Sequence, residues 1–424
     1  MRIVLIGKEG KRKDHFFKAA HAQKLEPIFL DLQDPSLFSK IVPGDRIKID
    51  PIAKYSVYLN ELDKYLREYR STLQRLSLLP DVDFLNHPSA ILETLDKRYC
   101  KKVLHRSGIP ITPVLDLAGK TFVELLEFLN AKRISQIFIK PNRGSGAAGV
   151  IALKFNRKTG DLIVQSSLAK WEPNSDKTER RARIVEYGKG AAMADSLDDI
   201  KGRRSESPLR CSKAIRLHDV FGTESSRDLQ NLYQEKEAGT IIRSGSLESF
   251  VLQDDLQDRS QSILPKDNLL YVNTKKIRRM TDRKEIEEMV NFLLSMDAVI
   301  ERWVPKDSID GLAYDLRVVY QFGKIEMIQA RGSKGTAITN LHLNDQAIEV
   351  KLSEVTVDQI DRLCASAMKC FQGLNSAGFD ILLEKNSLKP YIIEINGQGD
   401  LMYRDIFSEN RIYRDQVEWL GRRR

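Results

Sequence analysis

Residues 136–155 read QIFIKPNRGSGAAGVIALKF, and this stretch decides the fold class around it. Two apolar runs flank a glycine loop, a pattern that predicts two strands joined as a hairpin. The loop Gly144 to Gly149 matches G-x-G-x-x-G, whose open backbone N–H groups can surround phosphates. Lys140 precedes the loop and supplies a positive charge for such a ligand. Taken alone, the same residues also fit a tight surface turn with an exposed lysine.

The surroundings of the loop argue against three familiar phosphate sites. A dinucleotide-binding loop opens a helix, whereas a second strand follows here. The chain contains neither the H-R-D nor the D-F-G motif of a protein kinase. Gly119-Lys120-Thr121 resembles the end of a P-loop, but the first glycine that a P-loop requires falls on Val114.

The charge distribution favours a compact anion over a nucleic acid. The 424 residues include 68 lysines and arginines and 59 acidic residues, a formal net charge of +9. Residues 101–165, which contain the loop, hold 11 basic and 4 acidic residues, while the rest of the chain is nearly balanced. A nucleoside triphosphate fits one short basic stretch better than a long phosphate backbone does. Nucleic-acid binding is therefore not expected.

Composition also indicates location. No apolar stretch approaches the roughly 18 residues that a membrane span needs, and the short apolar run near Met1 reads as a first core strand. The four cysteines are scattered without C-x-x-C spacing, so neither a disulfide framework nor a zinc site is expected. We expect a cytoplasmic protein without a membrane partner.

The order of predicted elements divides the chain into parts. Strands and helices alternate over residues 1–95, as in an α/β layer with a short parallel sheet. Residues 166–268 are rich in serine and hold only five aromatic residues, so they are predicted to be a partly disordered insertion. Regular periodicity returns at residue 269 and continues into the C-terminal part, 301–424.

Two apolar strands near the C-terminus each carry an acid. Asp380 lies in Phe379-Asp380-Ile381, and Glu394 and Asn396 lie in Ile393-Glu394-Ile395-Asn396. An isolated buried carboxylate is costly, so such acids are usually paired or bound to metal. Glu394 and Asn396 project from the same face of one strand, and Asp380 completes a set of oxygen ligands for magnesium if its strand is adjacent. An exposed face with scattered polar residues is the alternative.

Two further segments, taken alone, indicate a nucleotide site only weakly. Glu301-Arg302-Trp303-Val304 follows an apolar strand and precedes Pro305, as a hinge that reads adenine would. Asp315 and Arg317 share a strand face, which surface charge alternation explains equally well.

Taken in order, these parts resemble the ATP-grasp superfamily, and the last third resembles its RimK-type branch. The resemblance covers about residues 90 to 160 and 270 to 405. The motifs that carry it are Asp96-Lys97, Phe138-Ile139-Lys140-Pro141 with the glycine loop, Glu301 to Val304, Asp315-Leu316-Arg317, Arg331, Thr339 to His342, Asp380 and Glu394-Ile395-Asn396.

The resemblance implies a fold of mixed class, α/β and α+β. It implies an N-terminal α/β pre-ATP-grasp domain, residues 1–95, followed by two α+β subdomains that enclose ATP. Residues 96–165 and 269–300 form the small subdomain with the glycine-rich lid, 166–268 the insertion, and 301–424 the C-terminal subdomain with the magnesium site.

The resemblance also implies a role for each site residue. Those expected to bind ATP are Lys97, Lys140, Gly144, Ser145, Gly146, Glu301, Val304, Asp315 and Asn340. Arg317 and Arg331 are expected to stabilise the phosphate that is transferred. Asp380, Glu394 and Asn396 are expected to bind two magnesium ions.

The implied activity is an ATP-dependent ligase that activates a carboxylate as an acylphosphate and joins it to an amine. The substrates are small molecules or peptides, and the protein is either a monomer or a homo-oligomer. An ATP-using phosphotransferase and a nucleotide-responsive binding component are the alternatives. After Leu341-His342 the RimK-type pattern continues with an arginine and paired glycines, whereas Leu343-Asn344-Asp345 follows here, so the resemblance does not identify glutamate as the substrate.

Overall fold

A computed structural model describes most of the chain outside the central segment. The described residues are 2–51, 59, 62–117, 121–144, 149–172, 183–184, 270–338, 346–398, 405 and 409–422. The chain forms two compact units, one made of Met1–Leu168 with Lys275–Arg424 and the other of Ala169–Thr274.

The N-terminal part of the first unit is a four-stranded parallel sheet, as the sequence predicted. Its strands, in the spatial order β2-β1-β3-β4, are β1 (Arg2–Gly7), β2 (Ile28–Asp31), β3 (Asp45–Ile49) and β4 (Asp83–Phe84). The helices of this part are α1 (Lys11–Ala22), α2 (Leu37–Lys40) and α3 (Leu62–Ser77). Residues 3–6 of β1 are all buried, because helices and neighbouring elements cover both faces of a parallel sheet.

The second sheet contains the predicted glycine hairpin. Its strand order is β10-β8-β7-β6-β11-β5, and β9 pairs with β8. The strands are β5 (Val114–Leu115), β6 (Gln136–Pro141), β7 (Ile151–Phe155), β8 (Leu162–Glu172), β9 (Arg183–Ile184), β10 (Leu270–Met280) and β11 (Ala298–Arg302). Strands β6 and β7 pair antiparallel on either side of the loop. Strand β8 ends at Glu172, so its second half falls inside 166–268, which the sequence analysis assigned to the insertion.

The third sheet has one apolar and one charged face. Its order is β15-β14-β13-β16-β17, with β12 beside β13. The strands are β12 (Ser308–Ile309), β13 (Leu312–Gln321), β14 (Lys324–Ser333), β15 (Gln346–Ile348), β16 (Ser376–Leu383) and β17 (Pro390–Asn396). Leu316 and Val318 of β13 share a buried cluster with Phe379 and Ile381 of β16. Alternate residues of the same strands therefore face the other way.

The remaining helices join the sheets. They are α4 (Pro88–Leu95), α5 (Lys97–Arg106), α6 (Phe122–Ala131), α7 (Arg283–Ser295), α8 (Glu354–Met368) and α9 (Arg411–Gly421). Cys100 and Leu104 of α5 pack into the apolar cluster of the third sheet. Within the described residues, no helix is both long and apolar enough to cross a membrane.

Candidate functional site

A buried group of charged side chains lies where helix α5 meets strands β6 and β11. Residues Lys140 and Val299 are opposite each other in the antiparallel pair, so Lys140 and Glu301 are diagonal neighbours on one face. Lys140 Nζ donates a hydrogen bond of 2.9 Å to Glu301 Oε2, and Lys101 Nζ lies 2.9 Å from Oε1. Thr112 Oγ1 donates to Oε2 at 2.8 Å. We call Lys101, Thr112, Lys140 and Glu301 the Glu301 cluster.

The charges in this cluster follow from burial and pairing. Burial would raise the pKa of Glu301, but the nearby ammonium groups of Lys101 and Lys140 outweigh it and lower that pKa to about 2. Burial lowers the pKa of Lys101 to about 8, against the opposing effect of Glu301. At neutral pH the cluster therefore holds two positive charges and one negative charge.

Lys97 connects the glycine loop with the C-terminal strands. The Asp96 side chain accepts a hydrogen bond of 2.9 Å from the Tyr99 backbone N–H and so caps α5, which begins at Lys97. Lys97 Nζ donates to the carbonyl oxygen of Gly144 and lies 3.3 Å from Glu394 Oε1. Three residues that the sequence analysis selected from distant segments thus meet at one ammonium group.

Four more of the predicted site residues lie next to one another on adjacent strands of the third sheet, on its charged face. The register places Asp315 opposite Arg331, and Arg317 opposite Asp380. Asp380 is in turn opposite Glu394, immediately before a register shift, so the adjacency required for a shared site is present.

Short ion pairs join this face into a network. Arg331 Nε donates to Asp315 Oδ1 at 2.8 Å, and Arg331 Nη2 lies 2.9 Å from Asp380 Oδ1. Arg317 Nη1 lies 2.8 Å from the same Asp380 oxygen. Lys306 Nζ donates to Asp315 Oδ2 at 3.1 Å. Two guanidinium groups therefore converge on one carboxylate.

The donor set around Asp380 fits a magnesium ion. Burial raises the pKa of Asp380, and the opposing charges of Arg317 and Arg331 do not cancel that effect. Asp380 Oδ1 accepts no hydrogen bond of normal geometry from a described residue. Glu394 is the cross-strand neighbour of Asp380, and Asn396 projects from the Glu394 face. Two carboxylates and an amide oxygen are hard ligands of the kind magnesium prefers.

The group of Asp380, Glu394 and Asn396 differs from a metal centre built only of acidic side chains. Among the described residues, no group of three or more His, Cys, Asp and Glu side chains is arranged to hold a metal. The ligands that fit here are two acids and one amide, which leaves coordination positions for phosphate oxygens and water.

The expected adenine hinge follows strand β11. The Trp303 ring lies 5.0 Å from the Phe138 ring, centroid to centroid, and the Trp303 backbone N–H donates to the Gln136 carbonyl oxygen at 3.1 Å. Val304 is the next residue and is partly buried. Val304 therefore lies two residues beyond the end of β11, the strand that pairs with β6, which carries Lys140.

The glycine loop is described only at its ends. Gly144 has a φ of 124°, and at Gly149 an added Cβ would lie 2.7 Å from Leu59 Cδ2 and 2.8 Å from Pro141 Cγ. Glycine is therefore required at position 149 for space as well as for its positive φ. Ser145, Gly146 and Asn340, which were predicted to bind ATP, lie outside the described residues.

Sequence reasoning missed three polar residues of the site, which are Lys101, Thr112 and Lys306. A signal existed for Lys101, because it follows Lys97 by four residues and so lies on the same face of α5. The buried positions of that helix are Lys97, Cys100, Lys101 and Leu104. No local pattern marks Thr112 or Lys306, whose roles depend on tertiary contacts.

Comparisons with solved structures find full-length similarity to several proteins. D-cycloserine synthetase DcsG aligns over 99% of this chain and 100% of its own, with a TM-score of 0.53 and 10% identity. Macrocyclase MdnC of Microcystis aeruginosa, bound with precursor peptide MdnA, aligns over 99% of both chains with a TM-score of 0.49 and 11% identity. D-alanine–D-alanine ligase of Bacillus anthracis, complexed with ATP, covers 99% of this chain and 95% of its own, with a TM-score of 0.46 and 13% identity.

No protein-family model and no curated protein matches the sequence. At 10% identity a structural likeness is evidence about the fold rather than about the reaction. The full-length likeness to D-cycloserine synthetase shows that this chain has the fold of that enzyme, the ATP-grasp fold that the sequence predicted.

Proposed function

We propose that this protein is an ATP-dependent ligase that activates a carboxylate as an acylphosphate and joins it to an amine, releasing ADP and phosphate. The observation that carries the proposal is the convergence of two arginines on Asp380, one strand away from Glu394 and its partner Lys97. Cations arranged around a site that also offers magnesium ligands are what phosphoryl transfer requires of a protein.

In this proposal the nucleotide lies between the second and third sheets. Lys97 and Lys140 hold its phosphates, and the loop 144–149 closes over them as a lid. Glu301 and the Val304 backbone bind adenine, and Asp315 binds the ribose. Ser145, Gly146 and Asn340 are assigned to the same nucleotide on the sequence resemblance.

The arginines act on the group that is transferred. A substrate carboxylate oxygen attacks the γ-phosphorus of ATP, the bond to the bridging oxygen breaks, and ADP leaves with that electron pair. Arg317 and Arg331 stabilise the negative charge spread over the phosphoryl oxygens in that step.

The second step forms the amide. The amine nitrogen attacks the carbonyl carbon of the acylphosphate, phosphate leaves with the bonding electrons of the C–O bond, and the nitrogen loses a proton. Magnesium held by Asp380, Glu394 and Asn396 neutralises phosphate charge when bound, and we propose two ions. The finer assignment is to the RimK-type branch, acting on small-molecule or peptide substrates in the cytoplasm.

We further propose the domain division given by the sequence resemblance. Residues 1–95 form the pre-ATP-grasp domain, 96–165 with 269–300 the small subdomain, and 301–424 the C-terminal subdomain. All the described site residues belong to the first compact unit. Residues 166–268 are assigned to an insertion that influences the acceptor.

The test is product analysis with the purified protein, ATP, magnesium and a panel of carboxylic acids and amines. We expect ADP formation that requires both an acid and an amine, and an amide detected by mass spectrometry. With an ¹⁸O-labelled carboxylate, one label should appear in the released phosphate, because the attacking oxygen stays with phosphorus. A stable phosphorylated product would instead identify a phosphotransferase, and nucleotide binding without turnover a sensor.

A further inference from the structure

Lys101 is buried without an assigned role. Its side chain is 4% exposed, and its Nζ contacts Glu301 Oε1 and the Thr112 hydroxyl inside the Glu301 cluster. Leu104, one turn further along α5, shows that this face of the helix accepts an apolar residue. Burying an ammonium group is costly, and a buried ion pair is often less stabilising than apolar residues of similar volume. Packing alone therefore does not account for a lysine at this position.

The charge balance of the cluster shows what Lys101 changes. With Lys140 alone, Glu301 would form a pair of zero net charge, and its carboxylate would compensate Lys140 fully. Lys101 occupies Oε1 while Lys140 occupies Oε2, so one negative charge is shared between two cations. The cluster is left with a net charge of +1.

The other titratable group beside Lys101 does not cancel this excess. Burial raises the pKa of the neighbouring Cys100 thiol to about 12, so that side chain is neutral at physiological pH. The charged side chains Asp96, Lys97 and Arg98 at the start of α5 pair with Arg143, Glu394 and Asp297 respectively. An anion placed at Lys140 would therefore complete the charge balance of the cluster.

We propose that Lys101 is a positioning residue of the nucleotide site, which acts through Glu301 to leave Lys140 with uncompensated positive charge for a phosphate. The inference rests on the proposed function, because it takes Lys140 as a phosphate contact. Lys101 itself does not touch the nucleotide. Its effect is to favour ligands that carry phosphates over the nucleoside that lacks them.

The experiment measures dissociation constants of ATP and adenosine by calorimetry, in magnesium, for the full chain. Lys101→Met should reduce the preference for ATP over adenosine on the order of tenfold, since it removes one unit of charge from a buried site. Lys102→Met is the matched control, because Lys102 lies on the same helix but is exposed. The Lys102→Met variant should prefer ATP over adenosine as strongly as the parent protein does. Lys101→Arg should keep most of the preference. Lys101→Gln gives the same test if the methionine variant does not fold.

A double variant separates charge balance from structural damage. In Lys101→Met with Glu301→Gln, Lys140 is the remaining charge of the cluster, so the net charge returns to +1. The ratio of ATP affinity to adenosine affinity should then recover towards the parent ratio, although Glu301→Gln affects both ligands. A ratio that stays as low as in Lys101→Met would overturn the inference, since damage to the structure does not reverse on a second substitution.

Lys140→Met distinguishes failure of this inference from failure of the proposed function. If Lys140→Met reduces the ATP preference while Lys101→Met leaves it unchanged, the inference about Lys101 is wrong and the nucleotide site stands. If neither substitution changes the preference, the assignment of the nucleotide site is itself wrong.

Discussion

At the scale of single residues, Asp380 and Glu394 decide whether the charged face is a metal site. Asp380→Asn together with Glu394→Gln keeps the shapes of both side chains, so the sheet should remain folded, although with lower stability because Arg317, Arg331 and Lys97 lose their carboxylate partners. Magnesium-dependent ATP turnover should fall roughly 100-fold or more, because the charged ligands are lost. Circular dichroism checks the fold, and a coupled ADP assay checks turnover. Glu409→Gln, at an exposed position, is the control, and parental turnover in the double variant would refute the metal assignment.

The ionisation of Glu301 predicts how the stability of the folded chain changes in acid. Its pKa is about 2 in the folded chain against an ordinary value of 4.5, despite burial, because of Lys101 and Lys140. The unfolded chain binds the proton first as pH falls, so this stabilisation is complete above about 4.5 and is lost between 4.5 and about 2. The shift corresponds to roughly 3 kcal/mol.

Urea titrations of the parent and of Glu301→Gln between pH 6 and pH 2.5 measure this effect. The parent should be the more stable protein at pH 6, because the substitution leaves two buried ammonium groups without their carboxylate. The difference should narrow as pH falls below 4.5. A gap that is independent of pH would show that Glu301 is not ionised in the folded chain.

At the scale of elements, helix α5 positions both Lys97 and Lys101, so its first turn matters to the site. Asp96 caps this helix through the Tyr99 N–H. Asp96→Ala should lower the free energy of unfolding by about 1 kcal/mol and weaken ATP binding, because the first turn frays. Asp96→Asn retains a capping oxygen and should keep most of the stability, although it loses the ion pair with Arg143. Chemical denaturation and ATP calorimetry of the two variants should therefore diverge.

The elements of the site differ in how far the sequence predicts them. Apolar runs around the glycine loop predicted the β6–β7 hairpin, because strand pairing through a short loop is local. For Asp380 and Glu394 the sequence predicted a shared site on the condition that their strands are adjacent, and the register meets that condition. Lys101 was not predicted, because a lysine that follows Lys97 by four residues looks the same whether solvated or buried. Its role depends on Glu301, which is 200 positions away in the chain.

At the scale of the whole molecule, the three sheets contribute unequally to the candidate site. The second and third sheets supply its charged residues, and α5 connects them by packing Leu104 into the third sheet while Lys101 reaches Glu301. Helix α9, near the end of the chain, packs Tyr413 and Val417 against Phe16 and Leu5 of the N-terminal part. The N-terminal sheet and the C-terminal helix thus share one apolar cluster, so truncation at either end is expected to disturb the first unit.

The central segment is where the first unit should tolerate a large change. All the described site residues lie in Met1–Leu168 and Lys275–Arg424, and strands β8 and β10 are neighbours in the second sheet. Replacing residues 173–269 by about ten glycines and serines, a linker that reaches roughly 17 Å, should therefore reconnect the two strands, with the loss of the two-residue strand β9 from the edge of β8. Thermal melting should stay cooperative, and ATP with magnesium should still raise the midpoint.

The acceptor should respond differently from ATP in this deletion variant. We expect amide formation to lose its selectivity among amines and acids while the ATP-induced shift in melting midpoint persists, because Lys97, Lys140 and Asp380 are unchanged. Lys140→Met in the deletion background is the control and should reduce that shift. Loss of cooperative melting in the deletion variant would mean that the replaced segment belongs to the core of the first unit. In that case the domain division proposed for residues 166–268 would be wrong, and the specificity for the acceptor would have to be sought among the described loops of the third sheet.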